Sequence, residues 1–355
     1  MRIAQVAPLY ESVSPKRYGG AQRVVSYLTE ELVRQGHRVT LFASGDSETS
    51  ARLVPACRQA LWEDGTCLDP LPHHVRLMEL VFQDVSRFDI IHFHTGYLHF
   101  PLLRSHPCPS VTTLHGRLHG PDVAALLTEY NEVPLVSISN QQRQPAPQAN
   151  WQATVYHGVP RDLYTYREVP AGYLAFLGRV SPENGVDRAI EIANRSGLKL
   201  KIAARVHPEE RSYFDEEIQP MIRESASLVE FVGEIGGSQK QEFLGNARAL
   251  VFPIDSPEPF GPVTIEAMAC GTPIVAWRNG SVPEVIIDGV TGFVVDNIAE
   301  AVSAVERVDS LSRLGSRRTF EHRFDARRMA LEYVKVYRKL VDNRENAKAR
   351  YAKAA

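Results

Sequence analysis

The sequence predicts an α/β protein of two doubly wound, Rossmann-like domains that face each other across a cleft. The chain has 355 residues, 44% of them hydrophobic, which is enough for two domains of ordinary size. Near the start, an apolar strand, a glycine-containing loop, an amphipathic helix and another strand form a βαβ pattern, which indicates a parallel sheet. A second alternating series of strands and helices follows the Pro- and Tyr-rich stretch 158–172.

The first domain is expected over residues 1–165. Its opening pattern runs from the strand Arg2 to Ala7, through a helix from about Ala21 to Gln35, to the strand Arg38 to Ala43. No elements are predicted between Ser44 and His74, because this segment is irregular and punctuated by proline. Further strands are predicted at Ile90 to His94, Val111 to His115, Leu135 to Ser139 and Ala153 to Tyr156.

The second domain is expected over residues 166–325. Its predicted strands are Tyr173 to Leu177, Leu200 to Ala204, Val229 to Val232, Ala249 to Phe252, Ile274 to Ala276 and Phe293 to Val295. Its predicted helices are Val186 to Arg195, Pro208 to Glu224, Gln239 to Asn246, Pro262 to Ala269 and Ile298 to Val308. A final helix is predicted from about Ala326 to Asn343, and residues 346–355 are expected to form a tail that is frayed from Lys348 to Ala355.

Composition excludes several classes of function. The formal net charge is -2, and neither half of the chain has the basic excess that nucleic acids or anionic membranes require. The four cysteines show no zinc-type or disulfide-type spacing. The N-terminus lacks the features of a signal peptide, and no run of about 18 apolar residues occurs. We therefore expect a soluble, cytoplasmic protein with reduced thiols and no integral membrane segment.

The most informative stretch runs from Ser256 to Trp277. A helix is predicted to begin at about Gly261, with Pro262 in its first turn. The amides of Val263 and Thr264 are expected to point out of this helix end, where backbone amides and the helix dipole bind phosphate. Glu258 precedes the helix and Glu266 lies one turn into it, so two carboxylates flank an anion site.

The Glu-x7-Glu spacing, with Pro-Phe-Gly inside it and Glu-Ala-Met-Ala-Cys-Gly-Thr-Pro from Glu266 onward, resembles that of the family 4 retaining glycosyltransferases. The resemblance implies the GT-B fold, with the acceptor on the first domain and the nucleotide sugar on the second. It also implies that the final helix, 326–345, crosses back to the first domain. Glu258 would contact the transferred sugar and Glu266 the ribose. The distal phosphate would be bound by the backbone of Phe260, Gly261, Pro262, Val263 and Thr264.

The segment from Gly178 to Asp187 resembles the part of the family that supplies an arginine and a lysine to the diphosphate. Arg179 matches the arginine, but Asn184 stands where the family has lysine. A neutral amide cannot neutralise phosphate, and charge-assisted hydrogen bonds are the stronger ones. Arg205 is a candidate for the missing charge, with a surface arginine as the equal alternative. Restoring lysine at position 184 is expected to tighten nucleotide-sugar binding.

Other matches extend the predicted site. Gly19 and Gly20 resemble the family's glycine-rich loop, which allows close backbone approach to the donor, but Gln22 replaces the usual glutamate and is a candidate on the acceptor side. His115, in Thr-Leu-His-Gly, matches a histidine that contacts the donor sugar. We therefore predict His115, Glu258 and Arg179 as the catalytic residues. Further candidates are Glu234 and Ile235 at the nucleobase, and His94 and Tyr97 on the acceptor side.

A metal site is not predicted. We expect His92 and His94 to lie on opposite faces of their strand, and no neighbouring acid completes a ligand set. The chain has no Asp-x-Asp, so the diphosphate charge would be met by Arg179, by Arg205 or by the helix end. No cofactor is expected besides the nucleotide sugar.

The resemblance implies a metal-independent hexosyl transfer with retention, with UDP-glucose as the favoured donor and a small, soluble hydroxyl compound as the acceptor. The opening 1–47 resembles a bacterial group of tetrahydrobiopterin glucosyltransferases. Two alternatives stay open: a UDP-N-acetylhexosamine 2-epimerase of similar fold, and a non-catalytic nucleotide-sugar sensor. The sensor is motivated by Asn184 and Gln22. The acceptor, the linkage and the oligomeric state do not follow from the sequence.

Overall fold

The computed structural model describes residues 1–14, 20–225 and 227–354, with side chains described up to residue 343. The chain divides into two compact units. The first unit comprises Met1–Gly158 together with Ala326–Ala355, and the second comprises Val159–Asp325. Each unit contains one parallel sheet with helices packed against it, as the sequence predicts.

The sheet of the first unit has seven parallel strands in the order β3-β2-β1-β4-β5-β6-β7. The strands are β1 Arg2–Val6, β2 Arg38–Ser44, β3 Arg52–Cys57, β4 Ile90–Phe93, β5 Ser110–Thr113, β6 Leu135–Ser137 and β7 Trp151–Thr154. Its first helices are α1 Ala21–Arg34, α2 Leu71–Gln83, α3 Phe100–Ser105 and α4 Pro121–Glu129.

Strand β3 and the start of α2 lie in the segment from Ser44 to His74, for which no elements were predicted. Pro55 sits inside β3, opposite Ala43 of β2. Proline lacks an N–H and is therefore tolerated only in an edge strand, and β3 is the edge of this sheet. The proline that marks the segment as irregular in the sequence is thus compatible with an outer strand.

The sheet of the second unit has six parallel strands in the order β10-β9-β8-β11-β12-β13. They are β8 Tyr173–Arg179, β9 Leu200–Arg205, β10 Val229–Phe231, β11 Ala247–Phe252, β12 Ile274–Trp277 and β13 Gly292–Val295. The helices are α5 Val186–Ser196, α6 Arg211–Tyr213, α7 Gln219–Glu224, α8 Gly237–Asn246, α9 Pro262–Cys270, α10 Val282–Val285, α11 Ile298–Arg307 and α12 Arg313–Arg323.

The helix predicted from Pro208 to Glu224 is not continuous. A 3-10 turn and α6 are followed by a π-helical segment at Phe214–Ile218, and α7 begins only afterwards. Pro220 lacks the N–H that would bond to the carbonyl of Glu216, and its ring crowds that carbonyl. The wider π turn before Pro220 accommodates this conflict.

The last helix, α13 Ala326–Ala354, belongs to the first unit and continues past its predicted end at Asn343. Met329, Tyr333 and Tyr337 are fully buried in the core that it shares with α1 and the sheet. The residues at the end of the chain thus complete the core of the unit in which the chain begins.

The strand orders locate one switch point in each unit. In the first sheet the order reverses between β1 and β4, and in the second between β8 and β11. In open parallel sheets, ligands bind beyond the carboxyl ends of the strands at such points. A functional site is therefore expected in the segments that follow these four strands.

Candidate functional site

In the second unit, the loop after β11 leads into α9. Gly261 caps the helix and Pro262 is its first residue, as the sequence predicts. A Cβ atom at Gly261 would lie 2.8 Å from the Phe252 ring, so this close approach of backbone to ring requires glycine. Phe260 is buried, with its ring centroid 6.2 Å from that of Phe324. These contacts hold the start of α9 at the carboxyl end of β11.

The two amides expected to be available at the start of α9 differ. The Thr264 amide donates to the Gly261 carbonyl at 3.0 Å, and the Thr264 hydroxyl donates to the same oxygen at 2.6 Å. Within the described part of the chain, the Val263 amide has no acceptor. The expectation of two open amides is therefore wrong for Thr264, because the first turn closes on Gly261.

Glu258 lies in this loop, and its backbone is fixed by the turn that follows β12. The Ser281 amide donates to the Glu258 carbonyl at 3.0 Å. Gly280 has a φ of +53°, and a Cβ there would lie 2.3 Å from the Glu258 carbonyl oxygen. This turn therefore determines where the Glu258 backbone lies.

Glu266 is almost fully buried, at 2% exposure, and forms an ion pair with Lys240 of α8, which is 5% exposed. Burying both charges removes them from water at a large cost in free energy, and the attraction between the two groups in close contact offsets this cost. Lys240 was not identified from the sequence, because nothing in the sequence of α8 shows that its ammonium group lies inside the protein.

Arg179, at the end of β8, donates to the Glu210 carboxylate at 2.7 Å. The Asn184 side chain donates to the Arg179 carbonyl at 3.0 Å and so folds back on its own loop. Arg205, at the end of β9, lies 4.0 Å from Glu234. Both arginines predicted for the diphosphate therefore have carboxylate neighbours in this structure, and the negative charge of these neighbours partly offsets the positive charge available to a diphosphate.

The loops after β8 and β11 are joined directly. The Asp255 amide donates to the Glu183 carbonyl at 2.7 Å. Arg188, at the start of α5, donates to the Pro253 carbonyl at 3.1 Å and to the Asp255 carboxylate at 2.7 Å. The structure thus brings the loop of Arg179 and Asn184 next to the loop of Glu258. Arg188 was missed in the sequence, where it resembles any surface arginine of a helix.

In the first unit, His94 follows β4 and His115 lies two residues beyond β5. His94 Nδ1 and His115 Nε2 are 2.9 Å apart. The expectation that His92 and His94 lie on opposite faces is wrong: their ring centroids are 3.9 Å apart. Residues two apart on a strand share a face, because side chains alternate with a period of two.

Burial keeps these histidines neutral near pH 7. It lowers the pKa of His115 to about 4, and it lowers the pKa of His92, His94 and His157 well below the ordinary value. Neighbouring histidines add a smaller decrease for the last three. His115 is therefore equipped to form hydrogen bonds as a neutral ring rather than to supply a positive charge.

The remaining candidates differ in their burial and surroundings. Gly19 is outside the described residues. Gly20 caps α1 at a φ of -79°, and a Cβ there would meet no described atom within 4 Å. Gln22 is buried on α1, whereas Tyr97 is 50% exposed and its ring neighbours Phe100. Ile235 is half-buried just after the exposed Glu234.

Two family profiles match the chain. The profile described as Glycosyltransferase Family 4 matches residues 18–161, and that described as Glycosyl transferases group 1 matches residues 169–326. An uncharacterized glycosyltransferase of Methanocaldococcus jannaschii is 25% identical to this chain over 362 residues. The match covers 86% of this chain and 89% of the relative. Alpha-maltose-1-phosphate synthase of Mycolicibacterium smegmatis is 29% identical, covering 47% of this chain and 48% of its own. The chain spans about half the length of the first curated relatives it matches.

Solved structures share the fold. Sucrose-phosphate synthase from Thermosynechococcus elongatus has a TM-score of 0.77 at 20% identity, over 96% of this chain and 99% of the other. Anabaena HepE in complex with UDP-glucose has a TM-score of 0.71 at 17% identity, over 98% of this chain and 100% of the other. Among the residues that the structure describes, no helix combines the length and apolar character needed to span a bilayer.

Proposed function

Because the chain belongs to the family 4 glycosyltransferases with the GT-B fold, we propose that it transfers a hexose, with retention and without a metal ion, from a nucleotide sugar to a hydroxyl acceptor. UDP-glucose is the favoured donor, and the acceptor is small and soluble. Membership in this enzyme class favours transfer over the epimerase and sensor alternatives.

The observation that carries the proposal is the start of α9. It lies beyond the carboxyl end of β11, at the switch point of the second sheet, with the Glu258 loop on one side and Glu266 on its first turns. The positive end of a helix stabilises the negative charge of a diphosphate. HepE, a relative in fold, binds UDP-glucose, which supports the choice of donor.

In the proposed reaction, one bond to the anomeric carbon forms as another breaks. The acceptor oxygen forms a bond to the anomeric carbon on the face from which the phosphate oxygen departs, and the bond between that carbon and the phosphate oxygen breaks. The acceptor proton passes to the leaving phosphate. Arg179, the Val263 amide and the positive end of α9 stabilise the charge that develops on the phosphate.

The test is a product assay with UDP-glucose and GDP-mannose against a panel of hydroxyl acceptors, with NMR of the new anomeric centre. Release of UDP and an unchanged anomeric configuration would support the proposal, and EDTA is expected to leave the rate unchanged. Loss of transfer in EDTA with recovery in magnesium would refute the metal-independent mechanism. Inversion at the anomeric carbon would refute retention.

A variant assigns the role of Glu258. Glu258→Gln is expected to lower kcat by about 100-fold if this side chain contacts the reacting sugar. Glu242→Gln removes a carboxylate from an exposed position of α8 and serves as the matched control. Equal rates in the two variants would remove Glu258 from the proposed catalytic set.

A further inference from the structure

A buried layer of polar side chains crosses the first unit. Gln5 lies in β1, His92 and His94 lie in or next to β4, and Tyr337 comes from α13. All four are buried, and they are linked to one another and to His115 by hydrogen bonds. Each histidine of the layer has two ring nitrogens, and their hydrogen positions follow from the partners.

The orientation of the Gln5 amide determines which atoms of the layer donate hydrogen bonds and which accept them. Its Nε2 donates to the Tyr337 hydroxyl at 3.1 Å, and its Oε1 lies 2.8 Å from His94 Nε2. An amide oxygen can only accept, so His94 Nε2 must carry the hydrogen. Because the His94 ring is neutral, its Nδ1 has a lone pair and no hydrogen.

The hydrogen position on His94 determines the hydrogen position on His115, because the two rings are hydrogen-bonded. His94 Nδ1 accepts, so His115 Nε2, at 2.9 Å, must be the donor. His115 is also neutral, and its Nδ1 therefore has a lone pair. This nitrogen is buried and has no hydrogen-bond partner among the residues that the structure describes.

The other branch of the layer is consistent with the same orientation. The Tyr337 hydroxyl accepts from Gln5 and so has its own hydrogen for His92 Nδ1, 2.7 Å away. His92 Nε2 then donates to the Thr113 hydroxyl at 2.7 Å. With Gln5 Nε2 facing Tyr337 and Oε1 facing His94, every described hydrogen bond in both branches has one donor and one acceptor. Exchanging the positions of Nε2 and Oε1 would exchange donor and acceptor in each of these hydrogen bonds.

We propose that Gln5 is a positioning residue that holds His115 with its hydrogen on Nε2 and its lone pair on Nδ1, ready to accept a hydrogen bond from a hydroxyl group of the bound sugar. That the ligand is a sugar rests on the proposed function, whereas the positions of the hydrogens on His94 and His115 do not depend on it. Gln5 acts through His94 and does not itself touch the ligand.

The test is a long-range 1H–15N NMR spectrum of the full chain with 15N-labelled histidine at pH 7.5, assigned with single histidine variants. In the unsubstituted protein, His94 and His115 are expected to show a protonated Nε2 and an unprotonated Nδ1. A protonated Nδ1 on His115 would overturn the proposal, and this result needs no variant to fold.

Gln5→Leu tests the role of the amide. It removes the acceptor from His94, so the His115 signals are expected to shift toward a mixture of the two tautomers. Tyr333→Phe is the matched control. It also removes a buried hydroxyl from α13, but this hydroxyl is hydrogen-bonded to Thr113 and not to Gln5. A single, unchanged His115 tautomer in Gln5→Leu would overturn the role of Gln5.

A binding measurement separates this proposal from the proposed function. Gln5→Leu is expected to raise the Kd for UDP-glucose by about 3- to 10-fold, the usual value of one neutral hydrogen bond, and to leave the Kd for UDP unchanged. If UDP-glucose binds neither protein, UDP-glucose is not the donor, while the NMR result still decides the tautomer. Equal UDP-glucose affinities in the two proteins would overturn the role of His115 Nδ1 as a sugar acceptor.

Discussion

At the scale of single residues, the predicted site differs from expectation in the partners of its charged groups. Glu266, predicted to hold ribose hydroxyls, pairs with a buried lysine, and Arg179, predicted to hold phosphate, pairs with Glu210. Partners of this kind are far away in the sequence and are chosen by the packing of helices. Glu266 and Arg179 could therefore be predicted from the sequence, whereas their partners Lys240 and Glu210 could not.

The Lys240–Glu266 pair gives a prediction on stability. Lys240→Met leaves a carboxylate buried without its cation, so we expect the second unit to lose about 3–5 kcal/mol. Hydrogen exchange of amides in β8 and β11 measures this loss directly. Replacing both residues by methionine should recover most of the stability, and a cost below about 1 kcal/mol for the single change would contradict the inferred burial of the pair.

The Arg179–Glu210 pair gives a prediction on binding. Glu210→Gln removes the carboxylate that lies 2.7 Å from the guanidinium, so this negative charge no longer offsets the attraction of Arg179 for a diphosphate. Because Arg179 is half exposed, solvent screens the effect, and we expect UDP to bind about 2- to 5-fold more tightly by calorimetry. Glu216→Gln, at an exposed position nearby, should change nothing. Weaker binding in Glu210→Gln would show that Glu210 instead orients Arg179.

At the scale of elements, most strands and helices follow from the sequence. Apolar runs and helical periodicity predicted the strands and helices that build both switch points. The exceptions have local causes. Pro55 hides the edge strand β3, and Pro220 interrupts the helix that begins near Pro208. The strand β4 was predicted correctly, but His92 and His94 share one of its faces, because side chains on a strand alternate with a period of two.

The turn after β12 gives a prediction at this scale. Gly280→Ala would force a Cβ to within 2.3 Å of the Glu258 carbonyl, so the Glu258 loop must shift. We expect kcat to fall about 10-fold or more, since small misplacements of reacting groups are costly, with little change in the Kd for UDP.

The control for this turn is Gly289→Ala. Gly289 also has a positive φ, +72°, but a Cβ there would meet no described atom within 4 Å. The backbone strain of about 1–2 kcal/mol is thus common to both variants, and only the contact differs. Equal kcat values in the two alanine variants would show that the position of Glu258 does not depend on this turn.

At the scale of the whole molecule, the buried histidines make the first unit sensitive to acid. Burial lowers the pKa of His99 to about 3 and of His115 to about 4, and those of His92, His94 and His157 also fall. The unfolded chain binds protons below about pH 6.5, where the folded unit does not. Stability is therefore fully present above that pH and is lost as the pH falls toward 4.

Each such histidine should contribute a slope of about 1.4 kcal/mol per pH unit within this range. Hydrogen exchange of β4 and β5 amides between pH 7 and 4.5, corrected for the intrinsic rate, measures the slope. His99→Gln, which keeps a hydrogen-bonding partner for Thr112, should reduce the slope by about 1.4 kcal/mol per pH unit. An identical slope in this variant would show that His99 is protonated in the folded unit.

The hydrogen bond between Gln5 and Tyr337 joins residues 332 positions apart in the chain. During synthesis on a ribosome, the chain must emerge as far as α13 before that bond and the burial of Tyr333 and Tyr337 become possible. The second unit is synthesised within this interval and has all its residues first. Maturation of the first unit accordingly waits until α13 has been synthesised, and a nascent chain stalled before residue 326 exposes the apolar surface that α13 covers.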